Sequence, residues 1–117
     1  MPNKKYKFTK ETKEVFGIVL HRIEAKKTIK GVVKKGEKGG WIEKEENLDT
    51  SDNSWVFGDA QVYGDAQVSG DARVFGNARV FGNARVSGDA RVFGDALVYG
   101  DAQVYGDAQV SGDARVF

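Results

Sequence analysis

The residues best suited to chemistry are a single histidine and a long row of carboxylates. His21 is the only histidine in the chain, and it stands in the apolar, β-branched run VFGIVLHRIEA. A general acid or base must lie beside the group whose proton it moves, and a lone histidine in a strand-like run is more typical of a structural residue. The sequence therefore predicts no catalytic residue.

The carboxylates recur at intervals of six residues, interrupted by asparagine at positions 77 and 83, and each follows a glycine directly. They are Asp59, Asp65, Asp71, Asp89, Asp95, Asp101, Asp107 and Asp113. Calcium-binding β-rolls use a Gly-Gly-x-Gly-x-Asp arrangement, which is missing, whereas Gly followed by Asp is ordinary turn chemistry. The chain has no cysteine for a zinc site, and GEKGGW lacks the Gly-Lys-Ser/Thr of a phosphate loop. We expect no metal and no cofactor.

These carboxylates belong to a strict six-residue repeat that begins at Val56. Its columns are Val, then Phe, Tyr or Ser, then Gly, then Asp or Asn, then Ala, and finally Gln, Arg or Leu. On a helix a six-residue spacing scatters the valines over three directions, with no apolar stripe to bury. On a strand Val, Gly and Ala share one face and the other columns share the opposite face. The repeat therefore predicts short strands, each ending in a corner, that bury valine by stacking.

The segment VFGNARVFGNARVSGDARV resembles the hexapeptide-repeat family of left-handed parallel β-helices. The resemblance implies an all-β, triangular solenoid with about 18 residues per coil. Many relatives of this fold are acyltransferases that use an acyl-coenzyme A donor and a catalytic histidine on or beside a coil. No histidine occurs in the repeats. An acyltransferase relative is therefore the alternative interpretation, and we expect a protein that is not an enzyme.

Residues 1–50 are predicted to form a small β-rich cap, and residues 51–117 the solenoid. The first half resembles a leader that precedes such repeats in phage and bacterial proteins, through KGEKGGWIE, Asn47-Leu48 and Trp55-Val56. Val15–Ala25 reads as a strand, and Gly31–Lys35 reads as a second. Trp41 and Trp55 are expected to cover the open end of the first coil. A Trp-lined ligand site is the alternative.

The outward columns give the candidate interface. Stacking at 18-residue intervals predicts two aromatic ladders, Phe57, Phe75 and Phe93 in one and Tyr63, Phe81, Tyr99 and Phe117 in the other, with Arg79 beside the first and Arg85 beside the second. Exposed aromatic stripes and arginines are typical of protein–protein contacts. Ring stacking alone is the other explanation. Because the sequence ends in mid-pattern at SGDARVF, Val116 is a further candidate: we expect two chains to abut through this coil, with a trimer as the alternative.

Charge divides the chain into two halves. Residues 1–50 carry a net charge of +5 and residues 51–117 a net charge of −4. Basic residues near Tyr6, Phe8 and Trp41 could contact nucleic acid, a weaker hypothesis that rests on Lys4, Lys5, Lys7, Lys34 and Lys35. The N-terminus lacks the apolar segment of a signal peptide, and no run reaches the length of a bilayer span. We therefore expect a cytoplasmic protein with no membrane contact.

Together these features predict a non-enzymatic β-solenoid scaffold that self-associates and binds a protein partner through its aromatic and arginine columns. The likeness of the leader to phage-borne sequences implies a phage or prophage origin. It also implies a host protein as partner, for example a bacterial defence protein such as a CRISPR–Cas component, which this protein would inhibit.

Overall fold

The structure, a computed structural model, describes residues 3–117 and consists of three longer strands followed by eleven strands of two residues each. The longer strands are β1 (Tyr6–Val15), β2 (Ile18–Ala25) and β3 (Lys38–Ile42), and a 3-10 turn follows at Glu45–Asn47. The short strands are β4 (Trp55–Val56), β5 (Gln61–Val62), β6 (Gln67–Val68), β7 (Arg73–Val74), β8 (Arg79–Val80), β9 (Arg85–Val86), β10 (Arg91–Val92), β11 (Leu97–Val98), β12 (Gln103–Val104), β13 (Gln109–Val110) and β14 (Arg115–Val116).

The short strands form three parallel ladders, one on each side of a stack of coils. Face 1 contains β3-β5-β8-β11-β14, face 2 contains β6-β9-β12, and face 3 contains β4-β7-β10-β13. Paired residues such as Gln61 and Arg79 lie 18 positions apart, so each coil uses three hexads. The predicted all-β solenoid with 18 residues per coil is confirmed; the hand of the coil remains a prediction from the family resemblance.

The interior of the stack is built from valine and alanine. The valines from Val56 to Val98 and the alanines from Ala60 to Ala96 are fully buried, as the parity of the repeat predicts. Burial of one valine side chain contributes roughly 1.5–3 kcal/mol. Every six-residue repeat, or hexad, contributes the same small Val and Ala side chains to the interior. The coils therefore stack in register, and backbone amides of one coil donate hydrogen bonds to carbonyls of the next.

The corners between faces depend on glycine. Gly82, for example, has a φ of +70°, and a Cβ placed there would lie 2.8 Å from the backbone nitrogen of Gly100 in the next coil. The left-handed conformation disfavours other residues, and the contact leaves no room for a side chain. The Gly column therefore permits both the turn and the close stacking of corners.

The N-terminal strands extend face 1 upward as an antiparallel hairpin. β1 pairs with β2, β2 pairs antiparallel with β3, and β3 pairs parallel with β5. The predicted strand Val15–Ala25 is interrupted, because Phe16 and Gly17 both have positive φ and form the hairpin turn. The predicted strand Gly31–Lys35 is wrong, since this segment forms turns with one isolated bridge between Ile29 and Val33.

The first coil contains a longer corner than the others. Leu48 bridges to Val68, 20 residues away, whereas Trp55 pairs with Arg73 at the regular distance of 18. The two extra residues lie in the segment 49–54, which we call the junction loop. Within residues 3–117 no helix is long and apolar enough to cross a membrane.

Candidate functional site

Both predicted aromatic ladders are continuous series of ring contacts, and all but one of these contacts are stacked. Phe75 and Phe93 stack with their centroids 4.8 Å apart, and Phe57 meets Phe75 edge-on at 6.2 Å. In the second ladder, the centroids of successive rings lie 5.1–5.3 Å apart from Tyr63 through Phe81 and Tyr99 to Phe117. The stacked rings, 4.8–5.3 Å apart, thus follow approximately the 4.7–4.9 Å spacing of neighbouring strands, so the backbone ladder holds each ring in place.

The second ladder is covered at its top by the hairpin. Tyr63 is only 6% exposed and packs in a cluster with Leu20 and Trp41, which Val15, Ile18 and Phe81 adjoin. Burial also raises the pKa of the Tyr63 hydroxyl. The interface candidate Tyr63 is therefore not available to a partner in this conformation, because the leader of the same chain occupies its surface.

The lower rungs remain accessible to solvent. Phe75, Phe81, Phe93 and Tyr99 are half-buried, and Phe117 is 79% exposed. Phe57 and Val116 are also half-buried and pack against the main core. Partial burial leaves part of each ring exposed to solvent. A partner can contact this exposed part while the rigid scaffold holds the ring in place.

The arginines lie on different faces from those predicted. Arg79 is in β8 on face 1, two residues before Phe81, so it accompanies the second ladder and reaches the first only across a corner. Arg85 is in β9 on face 2, where it lines a shallow depression with Ser87, Gln103 and Tyr105. The prediction assigned each arginine to the ladder before its own strand, whereas each arginine lies on the face of the residue two positions later, Phe81 for Arg79 and Ser87 for Arg85.

Trp41 and Trp55 occupy two different environments. Trp55 is fully buried in the main core, edge-on to Tyr6 at 6.3 Å, and lies at the capped end of the stack. Trp41 instead faces outward on face 1, with the Lys13 amine 4.4 Å and the Arg22 guanidinium 4.9 Å from its ring centroid. Covering the end of the coil is thus the role of Trp55, and Trp41 anchors the hairpin to the side.

Lys5 is a correction to the nucleic-acid hypothesis. Its side chain is fully buried, and its amine donates hydrogen bonds to the Asp49 carbonyl at 2.6 Å and to Asp52 Oδ1 and Ser54 Oγ at 3.1 Å each. A buried ammonium held by three acceptors cannot contact a phosphate. Lys4, Lys7, Lys34 and Lys35 are exposed, and their role stays a prediction.

The environment of Lys5 and Asp52 shifts both of their pKa values downward. Burial lowers the pKa of Lys5, against the opposing influence of Asp52. Burial alone would raise the pKa of Asp52, but hydrogen bonds from Ser54 and Lys5 outweigh it and lower that pKa. Asp52 also accepts the amide of Gly70 at 2.6 Å, so it fastens the junction loop to the second coil.

Sequence reasoning missed the structural role of Asn47. Its Oδ1 accepts the amides of Glu43 and Lys44, and its Nδ2 donates to the carbonyls of Gly64 and Ala66. The Oδ1 bonds hold the turn within the leader and the Nδ2 bonds join the leader to the solenoid, a role that no position of the repeat indicates.

His21 stacks on Phe8 on the hairpin, with ring centroids 4.6 Å apart. Among residues 3–117, no group of three His, Cys, Asp or Glu residues is arranged to hold a metal ion. The outward side chains of the solenoid are stacked rings, guanidiniums, and amide or carboxylate groups at the corners.

Comparison with protein families gives matches to the YdcK beta solenoid repeat at residues 66–80, 72–88, 78–91, 84–100 and 90–106. The hexads in this span are thus similar to a β-solenoid repeat. The matches span about a third of the chain and lie within the regular coils, so they do not include the leader. Comparison with curated proteins gives no significant match.

Proposed function

We propose that this protein is a non-enzymatic scaffold that self-associates and binds a protein partner through the aromatic rings and arginines of its solenoid. The observation that carries the proposal is the pair of ring stacks, whose lower rungs are open to solvent while their backbones are fixed by the ladder. Aromatic residues and arginine are enriched where protein contacts concentrate their binding energy.

Rigidity makes such a surface effective. Ordering a side chain at an interface costs about 0.5–1.5 kcal/mol. A ring already stacked at 4.8 Å on its neighbour, as Phe93 is on Phe75, has lost most of that freedom during folding. A partner therefore meets a surface that needs little further ordering.

The test is the triple variant Phe75→Ser, Phe81→Ser and Phe93→Ser. Light scattering measures the mass in solution, and affinity capture from bacterial lysate measures partner binding. We expect the mass and the captured partner both to decrease, because the variant removes open rings from both ladders. A matched control replaces Ser69 and Ser87, which occupy the same column on face 2, by alanine. Unchanged mass and capture in a folded triple variant would contradict the proposal.

A more specific proposal concerns the identity of the partner and the compartment in which it is bound. The likeness of the leader to phage sequences favours a host defence protein as target, met in the bacterial cytoplasm. A CRISPR–Cas interference assay with and without the protein checks this, and the triple variant should restore interference. Undiminished interference at saturating protein would remove this target class.

The acyltransferase alternative makes a different prediction. An enzyme of that class must bind an acyl donor, so calorimetric titration with acetyl-coenzyme A should give heat of binding that saturates. A scaffold should give none. A saturating signal that is lost on substitution of His21 would replace the scaffold proposal by the enzyme.

A further inference from the structure

Two successive hexads of the repeat carry a net positive charge, whereas all the other hexads are negative or neutral. A hexad that contains Gly-Asp-Ala-Gln or Gly-Asp-Ala-Leu has a charge of −1, and one that contains Gly-Asp-Ala-Arg has none. Gly-Asn-Ala-Arg occurs only at 76–79 and 82–85, and these are the repeat's only two hexads with a charge of +1. They flank Phe81, the second rung of the ladder on face 1.

The coil directly below has the opposite charge. On face 1, Leu97 lies under Arg79, and the corner residue Asp95 lies under Asn77. Across the next corner, Asp101 lies under Asn83. We call Asn77, Arg79 and Phe81 the upper row, and Asp95, Leu97 and Tyr99 the lower row. The upper row has a charge of +1 and the lower row a charge of −1.

Stacking of carboxylates does not explain the asparagines. Asn77 and Asn83 donate to Asp95 and Asp101 at 3.3 Å each, which relieves repulsion between corners. However, the third corner stacks Asp71, Asp89 and Asp107 without any asparagine. The solenoid tolerates such a column, so the stacking of corners does not by itself require Asn77 and Asn83.

Two further features make these rows suitable for contact. Leu97 is the only apolar residue in the Gln, Arg or Leu column of the repeat, and it is half-exposed. Within residues 3–117 no carboxylate lies within ion-pair distance of the Arg79 guanidinium. Below the hairpin, whose cluster of Leu20, Trp41 and Tyr63 packs against Phe81 from above, face 1 thus presents an apolar centre, an aromatic edge and two rows of opposite charge.

The geometry points to a second copy of this chain as the occupant of face 1, and we propose an antiparallel dimer whose two-fold axis passes between the upper and lower rows. This axis places the upper row of each protomer against the lower row of its partner. Arg79 then lies over Leu97 and close to Asp95 of the second copy, and Phe81 lies over Tyr99. A two-fold contact requires such self-complementarity, and rows of +1 and −1 supply it.

A nucleic acid suits this surface less well. A polyanion long enough to use the arginines would also cross the acidic hexads 94–97, 100–103 and 106–109, which repel phosphate. A second copy brings one short acidic row to one short basic row. Because the face is narrow, it buries less than the roughly 800 Å² per partner of typical stable complexes, and we expect a dissociation constant in the micromolar range.

The proposal rests on the self-association in the proposed function, and exchange of the two rows tests it. The first half-exchange, Asn77→Asp with Arg79→Leu, makes both rows −1. The second, Asp95→Asn with Leu97→Arg, makes both rows +1. The full exchange combines all four substitutions and restores opposite rows in reversed order. Every substituted hexad is one that the natural repeat already uses, so the variants should fold.

Sedimentation equilibrium at 5–200 µM, an experimental range chosen around a micromolar constant, measures the dimer. We expect each half-exchange to weaken dimerisation by about tenfold or more, because like charges then face each other twice, and the full exchange to recover it. Added salt should weaken the wild-type dimer and strengthen the half-exchanged ones. Circular dichroism confirms folding.

A wild-type protein that is monomeric throughout, half-exchanges that dimerise like wild type, or a full exchange that fails to recover would each overturn the proposal. A monomeric wild type would also remove self-association from the proposed function, whereas failure of the row exchange in a protein that dimerises leaves the proposed function intact. Capture of a partner by the aromatic surface, and its loss in the triple serine variant, can persist when the row exchange has no effect.

Discussion

The junction between leader and solenoid is held together by different forces from the regular coils below it. At the junction, Lys5, Asn47 and Ser54 are buried polar residues whose hydrogen bonds are satisfied within the chain. In the regular coils the interior is valine and alanine, and polar side chains stay outside. A repeat can build a solenoid from apolar burial and backbone pairing alone, whereas its end requires residues chosen for one place only.

The largest expected effect comes from breaking the Lys5–Asp52 pair at the junction. Asp52→Asn leaves the fully buried Lys5 ammonium without its counter-charge, and removal of one partner from a fully buried pair costs about 3–5 kcal/mol. Because the Asp52 side chain is 24% exposed, the lower end of this range applies. We expect the free energy of unfolding in urea to decrease by about 3 kcal/mol. The double variant Lys5→Met, Asp52→Asn should recover much of this loss, since no unpaired charge remains.

A matched control lies in the regular coils. Asp65→Asn breaks the ion pair of Asp65 with Lys44, whose N–O distance is 2.8 Å and whose two side chains are exposed. Solvent and salt screen such a pair, so its urea midpoint should not move measurably. Equal losses in the two variants would show that the junction is not the more demanding region.

The next effect concerns the stacking of corners in the regular coils. Gly82→Ala places a methyl group 2.8 Å from the Gly100 nitrogen at a φ of +70°, and we expect a loss of about 2–4 kcal/mol from strain and overlap together. Gly58 in the first coil has a φ of +58° but nothing within 4 Å of an added Cβ. Gly58→Ala should therefore cost only the conformational strain, about 1–2 kcal/mol. Urea unfolding of both variants measures the difference.

The contrast between these regions also explains what the sequence could predict. The burial of Val80 and Ala84 and the turn at Gly82 follow from the period, because each position is repeated about ten times with the same environment. Lys5 is 47 residues from Asp52, and neither belongs to a repeat. Nothing in a basic N-terminus distinguishes the one lysine that enters the core from its exposed neighbours.

Within the leader, the glycines indicate the contacts with the solenoid more clearly than the charged residues do. A Cβ on Gly39 would lie 2.6 Å from the Val56 carbonyl, and one on Gly40 would lie 2.6 Å from a methyl group of Val56. The Gly-Gly pair before Trp41 thus marks the place where the leader touches the first coil. The burial of Tyr63 could not be predicted in the same way, because it depends on where the hairpin folds back.

The pH dependence of stability should separate the regions with a smaller effect. Because its pKa is lowered on folding, Asp52 takes up its proton more readily in the unfolded chain than in the folded one. The stability that it contributes is present above pH 3.8 and is lost as pH falls from there through the lowered pKa. One proton gives a slope of at most about 1.4 kcal/mol per pH unit.

Urea unfolding at pH 5, 4 and 3, experimental settings that span the ordinary aspartate range, measures this slope. It should be steeper for wild type than for Asp52→Asn. Asp65→Asn should keep most of it, because the pKa of Asp65, although lowered by Lys44, belongs to an exposed pair. A slope in Asp52→Asn equal to that of wild type would assign acid sensitivity to the coils instead of the junction.

The smallest expected effect tests whether the ring ladders hold the regular coils together or mainly present a surface. Phe75→Leu keeps an apolar side chain but removes the stack on Phe93 and the edge contact with Phe57, so the free energy of unfolding should decrease by about 0.5–1.5 kcal/mol. Tyr105→Leu is the control, because Tyr105 is 66% exposed and the residues above it in its column, Ser69 and Ser87, carry no ring. Thermal unfolding followed by circular dichroism compares the two. A loss for Phe75→Leu as large as that for Asp52→Asn would make the ladders a structural element equal to the junction, and their open rungs would no longer need a partner to explain them.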